Sequence, residues 1–273
     1  MYRQTLEEAV DARIEEYRKR ADSNDLETCL EAAGPRQGTW IALGLLGLNE
    51  PERAVPAFQF LVPKWLDRLE AKMEHKLKHI KQGSESGFSW RWQLAAFVAV
   101  LSGQLASRQE VGSFIYESAT HPEFDQFADG VSLSHDLVRA YGALLSDSND
   151  FTDHYERILE RLEHLEKRSE NTPENERGYH KDAEVQVKAL SAIKRGNRDE
   201  FIEAVELWFE FIDPILAEKR RSPPSDKDPI RDRVDITASA LIALARQHGL
   251  DVRVNHDVVP KAVYNQEYYP RGE

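Results

Sequence analysis

The chain has 273 residues, with 48 Asp and Glu against 36 Lys and Arg, a formal net charge of −12. That balance disfavours nucleic acid or an anionic membrane as a partner. At 41% apolar and 31% charged residues, the composition fits a folded, soluble helical protein better than a disordered one.

No apolar run approaches the roughly 20 residues needed to span a bilayer. The opening residues, MYRQTLEEAV, are acidic and amphipathic and lack a secretory apolar core, so the expected location is the cytoplasm. Cys29 is the only cysteine, which excludes an internal disulfide and a cysteine-based zinc site. Its apolar spacing between Leu26 and Leu30 predicts a buried structural thiol.

In chain order, Thr5 and Glu8 form a capping box for a first helix carrying Leu6, Val10, Ile14 and Tyr17 on one face to about Arg20. Asp25 to Ala33 reads as a short second helix stopped by Gly34-Pro35. Thr39 is expected to cap a third, TWIALGLLGL, apolar nearly all round and hence interior. Pro51 suits a first helical position, whereas Pro56 and Pro63 are expected to kink or divide the helix that starts there.

From Lys64, Trp65, Leu66, Leu69, Met73, Leu77 and Ile80 form one stripe ending at Gly83. GSESGFS reads as a loop. Ser89 is expected to start an apolar helix through WQLAAFVAVLSG, and Ser107 with Glu110 offers a capping box for the next. LVRAYGALL then turns at SDSND into FTDHYERILERLEHLEKR, and EVQVKALSAI turns at KRGNRDE into FIEAVELWFEFIDPIL.

Turn spacings vary and no consensus recurs, so the expected fold is all-α: an irregular, repeat-like stack of antiparallel helical hairpins. SENTPENERG (169 to 178) and RRSPPSDKDP (221 to 230) are short enough for surface loops, giving one domain over 1–273 with a soft division near 170. In ALIALARQHGLDVRVNHDVVP (240 to 260) a small-residue helix stops at Gly249, with Arg246 and His248 at its negative end and Leu250 folding back. Val252 and Val254 then alternate with polar residues, which predicts a short extended C-terminal segment closed by Pro260.

Motifs for chemistry are absent. No phosphate loop, dinucleotide fingerprint or HExxH occurs, and GSESG (83 to 87) places Glu85 where a nucleophile elbow requires serine. His75 and His79 have metal-ligand spacing, but helical phasing puts them on the polar side among Lys72, Lys76 and Lys78, so a solvated face is expected and no metal or cofactor is assigned. No residue is assigned a catalytic role.

Charge, however, clusters. Nine acids stand against Arg139 and Arg157 between His121 and Glu160, while Lys64 to Lys81 holds six basic residues against three acids. The acidic stretch is either a set of solvated helix faces or a docking surface for a basic partner, with Glu123, Asp125, Asp129, Asp136, Asp147, Asp150 and Asp153 as contacts. Trp90 and Trp92 are two apart and point in nearly opposite directions on a helix, one toward the core and the other available as an interface anchor.

The order KALSAIKRGNRDEFIEAVELWFEFI, a variable loop, then ITASALIALARQHGLDVRVNHDVVPKAV resembles the C-terminal part of the immunity protein 49 family of bacterial polymorphic toxin systems. The likeness covers residues 180 to 263, with Gly196, Gly249 and Pro260 as punctuation. It implies a cytoplasmic, all-α, non-enzymatic inhibitor that binds a cognate toxin domain, such as a basic nuclease, and it supplies no catalytic residues. The alternative reading is a helical-repeat adaptor that gathers several protein partners.

Overall fold

The computed structural model describes residues 5–80, 90–125, 133–168, 174–221 and 228–270. The chain is all-helical, with no strand among these residues. None of the described helices is long and apolar enough to cross a membrane. The fold divides into two compact units, one built from 1–65, 97–104 and 212–273, the other from 66–96 and 105–211. The division expected near 170 falls beside 169–173, outside the described residues.

The first unit begins with α1 (Leu6–Ala21), whose N-terminus carries the expected box: the Thr5 hydroxyl accepts from the Glu8 amide and the Glu8 carboxylate from the Thr5 amide. It packs on α2 (Leu26–Gly47), which bends at Gly34, where φ 70° and ψ 168° are accessible only to glycine. Helix resumes at Pro35, a residue shaped for a first helical position. Thr39 therefore lies one turn inside the helix instead of capping it. Its buried hydroxyl donates to the Pro35 carbonyl at 2.7 Å and accepts from the Trp65 indole at 3.0 Å.

Pro56 and Pro63 do not divide α3 (Pro51–Ile80). They are seven residues apart and both exposed, so both rings lie on the outer side of the helix, where a carbonyl left without its intrahelical donor can be solvated. Cys29 is fully buried, with its thiol donating to the Ser23 carbonyl, and burial pushes that thiol above its ordinary pKa.

The C-terminal end of this unit follows the expected stop in α11 (Ile236–Gln247). Gly249 adopts φ 86° and the Leu250 amide reaches back to the Ala245 carbonyl at 3.0 Å. Arg246 does more than oppose the dipole: it is buried, stacks over the Tyr264 ring at 5.5 Å and donates to the Tyr264 carbonyl. Residues 251–256 carry neither helix nor strand. There the Tyr264 hydroxyl accepts from the Val254 amide and donates to its carbonyl, and a 3₁₀ turn, Lys261–Tyr264, follows.

The second unit contains α5 (Leu105–Ala119), the single turn α6 (Pro122–Asp125), α7 (Leu133–Leu145), α8 (Phe151–Arg168) and α9 (Glu174–Arg195). The helices α4 (Trp90–Leu101) and α10 (Arg198–Arg221) run across the division, as α3 does. Ser107 falls inside the first turn of α5, not ahead of it, so the second expected capping box does not form as a cap. Ser89 lies outside the described residues. Both expected hairpin turns are present, at 146–150 and at Gly196, whose φ of 68° closes α9.

Helix α7 is the hub of this unit, packing on α5, α8 and α9. Glycines bring α5 and α7 close: a Cβ on Gly142 would lie 2.7 Å from the Tyr116 amide nitrogen, and one on Gly112 would lie 2.6 Å from the Leu145 Cβ. Backbone cannot swing aside as a side chain can. Gly142→Ala is therefore expected to destabilise the fold by about 1 to 2 kcal/mol, because overpacking against backbone, at roughly 2–3 kcal/mol the upper part of the usual range, exceeds the helix-propensity gain of about 1. A lower urea midpoint with an unchanged slope would show it; an unchanged or higher midpoint would refute the close crossing.

Candidate functional site

The acidic stretch takes shape around the turn between α7 and α8. Helix α7 ends in a left-handed residue, and here it is Asp147, at φ 56°, with the Ser148 amide returning to the Ala143 carbonyl at 2.8 Å. A short polar side chain tolerates that conformation better than most. Asp147 and Asp150 are exposed, as are Asp153, Glu156 and Glu160 along one face of α8. Asp150 is partly committed, accepting from the Tyr116 hydroxyl and from the Ser148 hydroxyl. Asp150 and Asp153, at the N-terminus of α8, also favourably oppose the helix dipole.

Asp136 has no place in that surface. Its side chain is fully buried, the Arg161 Nε stands 2.8 Å from one carboxylate oxygen, and an Arg139 terminal nitrogen is 3.7 Å from the other. Arg139 is itself buried and its Nε donates to the Ala119 carbonyl at 2.8 Å, at the C-terminus of α5. The ring Nε2 of buried His135 meets the same carbonyl at 2.9 Å. Cationic and donor groups thus satisfy a helix end that has no partner of its own. Burial raises the Asp136 pKa in spite of the opposing pull of Arg161, Arg139 and Arg157.

This inner cluster has a surface consequence. Asp136 draws Arg139 and Arg161 inward, so the face presented around Asp147, Asp153, Glu156 and Glu160 keeps Arg157 as its exposed cation among the described side chains of α8. Residues more than a turn apart in sequence produce this separation.

Of the other expected contacts, Glu123 is half-buried and its amide donates to the His121 ring. Asp125 ends α6, and Asp129 lies outside the described residues. Trp92 is a core residue, fully buried and stacked on Phe114 with centroids 6.1 Å apart, so it is withdrawn from the contact set with Asp136. Trp90 is 43% exposed.

His154, which nothing in the sequence singled out, is buried against the edge of Tyr116 with both ring nitrogens unbonded. Burial, then the charges of Arg139 and Arg157, bring its pKa down to about 4. His75 is exposed, and the described residues hold no group of three potential metal ligands.

The first unit carries a separate open cleft of about 210 Å³ between the end of α10 and the start of α11. Trp40, Ile215 and Lys219 are among the residues that line it, and Arg231 stands over the Trp40 indole at 4.9 Å. Asp235 caps α11 through the Ala238 amide, so a carboxylate already occupies that helix end.

Comparisons of this chain with protein-family models, with curated proteins and with solved structures give no match.

Proposed function

We propose that the protein is a non-enzymatic immunity protein, which captures and neutralises a cognate toxin domain of basic character. The observation that carries this reading is the exposed acidic corner of Asp147, Asp150, Asp153, Glu156 and Glu160 beside α7 and α8. A chain of net charge −12 that groups five exposed carboxylates at such a corner accelerates encounter with a basic domain and repels nucleic acid. The likeness of residues 180 to 263 to the immunity protein 49 family supports the same class.

Capture of the tagged chain from its native cells, with toxicity rescue by co-expression, tests the function. A single stoichiometric partner with a toxic, basic domain is expected. Several unrelated partners of moderate affinity would replace it with the adaptor reading.

The corner is tested separately by combining Asp147→Asn with Asp153→Lys, Glu156→Lys and Glu160→Lys, leaving the Asp150 bond to Tyr116 intact. The association rate at low salt is expected to fall at least about tenfold, with a shallower salt dependence, as for steered encounters. An unchanged rate would move the docking surface elsewhere.

A further inference from the structure

We propose that the cleft between the end of α10 and the start of α11 binds a small aromatic carboxylate, with Arg231 and Lys219 holding the acid group and Trp40 and Ile215 the ring. The proposed toxin capture does not use this site. Every residue that lines the cleft, Trp40 included, belongs to the first unit.

Sequence spacing brings the α10 residues together. Ile212, Ile215, Leu216 and Lys219 follow at i, i+3, i+4 and i+7, so they share one helical face that is apolar until its last member. Val234 and Ile236 add apolar side chains to the lining. Ile215 is nevertheless 40% exposed, a large aliphatic side chain that the fold leaves in water.

Arg231 is positioned by the chain around it. One oxygen of the Asp228 carboxylate accepts from the Ile230 and Arg231 amides at 3.2 and 3.4 Å, and the other pairs with Arg13 of α1 at 3.3 Å. The Val234 amide then returns to the Ile230 carbonyl at 2.9 Å. The Arg231 guanidinium stands over the Trp40 indole, 4.9 Å from its centroid, a contact that consumes none of its N–H donors.

Those donors suit a carboxylate, and the Lys219 ammonium adds a second positive charge to the same lining. Among the described residues neither side chain makes an ion pair or a hydrogen bond, although Asp232 feels both charges. Asp235, the carboxylate in the lining, is committed to the cap of α11 through the Ala238 amide at 2.6 Å. Two cations against one carboxylate favour an anionic head group.

Volume limits the rest of the ligand. An apolar cavity of roughly 150 Å³ accepts benzene. The cleft, at about 210 Å³, thus admits one ring with its carboxylate, and the net charge of −12 disfavours a polyanion.

The test uses the full chain with phenylacetate as probe, phenylacetamide as its neutral isostere and acetate as the bare head group, read by ligand-observed NMR titration. Phenylacetate is expected to bind with saturation at a dissociation constant of about 1 mM or below, and both controls at least about tenfold more weakly. Arg231→Gln is expected to weaken phenylacetate about tenfold, as for loss of one charged hydrogen bond, bringing it level with phenylacetamide. Ile215→Asn is expected to weaken it severalfold through the ring. Both replaced side chains are exposed, and an unchanged urea midpoint reports an intact fold.

Absence of saturation, equal affinity for phenylacetate and phenylacetamide, or wild-type affinity in both variants would overturn the site. A peptide ending in a free phenylalanine carboxylate that binds at least about tenfold more tightly than phenylacetate would overturn it in favour of a peptide terminus.

Discussion

Asp136→Ala is expected to cost about 3 to 5 kcal/mol of folding stability, the range for removing one member of a buried ion pair. The wild-type carboxylate stands at 2.8 Å from Arg161 and 3.7 Å from Arg139, and the Arg139 side chain is only 3% exposed. Without Asp136, the Arg139 guanidinium keeps its bond to the Ala119 carbonyl but loses a neighbouring carboxylate in a buried site. Arg161, one-third exposed, can turn toward water.

The pair is nonetheless expensive even when intact, since burial raises the Asp136 pKa against the pull of three arginines. Replacing both charges, as in Asp136→Leu with Arg139→Leu, is therefore expected to recover most of the loss, with His135 still bonded to the Ala119 carbonyl. Urea unfolding of the two single variants and the double variant measures the coupling. Additive losses would show that the two residues act independently.

Acidification from pH 6.5 to 4 is expected to remove on the order of 3 kcal/mol through His154 alone, at about 1.4 kcal/mol per pH unit. Burial and two neighbouring arginines hold the folded-state pKa at about 4, against 6.5 in the unfolded chain. Between those values the unfolded chain binds the extra proton, so the contribution is complete above pH 6.5 and is lost as pH falls toward 4. Asp136 acts in the opposite sense: burial raises its folded-state pKa, so as pH falls toward the ordinary carboxylate range its protonation favours the fold.

The difference between wild type and His154→Phe isolates the histidine. Phenylalanine keeps the edge contact with Tyr116, 5.7 Å between centroids, and removes two ring nitrogens that make no hydrogen bond. His154→Phe is thus expected to be at least as stable at pH 7 and to show a flatter pH profile below 6.5. Parallel profiles for the two proteins would mean that His154 is hydrated or protonated in the fold.

The sequence by itself determined what depends on neighbours along the chain. The Thr5–Glu8 box, the Gly249 stop with Leu250 folded back and the turns after Leu145 and Arg195 are set by backbone groups within a few residues of each other. Apolar periodicity likewise fixed an all-α chain, because a helix must bury its stripe whatever it meets. Thr39 marks the first limit: its hydroxyl could cap a helix, but Gly34 and Pro35 had already started one.

Only the tertiary structure decided which charges face water. Asp136 and Arg139 differ little on paper from Asp147 and Arg157, although the place of Arg139 inside the largely apolar LVRAYGALL run, with Asp136 just before it, was a usable signal. Their burial follows from α7 lying between α5, α8 and α9, and from a bare carbonyl at Ala119 that needed donors. His154 left no such trace, because its low pKa comes from desolvation by helices distant in sequence. The acidic corner has the same origin. Its composition was legible, but its separation from Asp136, Arg139 and Arg161 depends on packing, since solvation and charge pairing act through space and not along the chain.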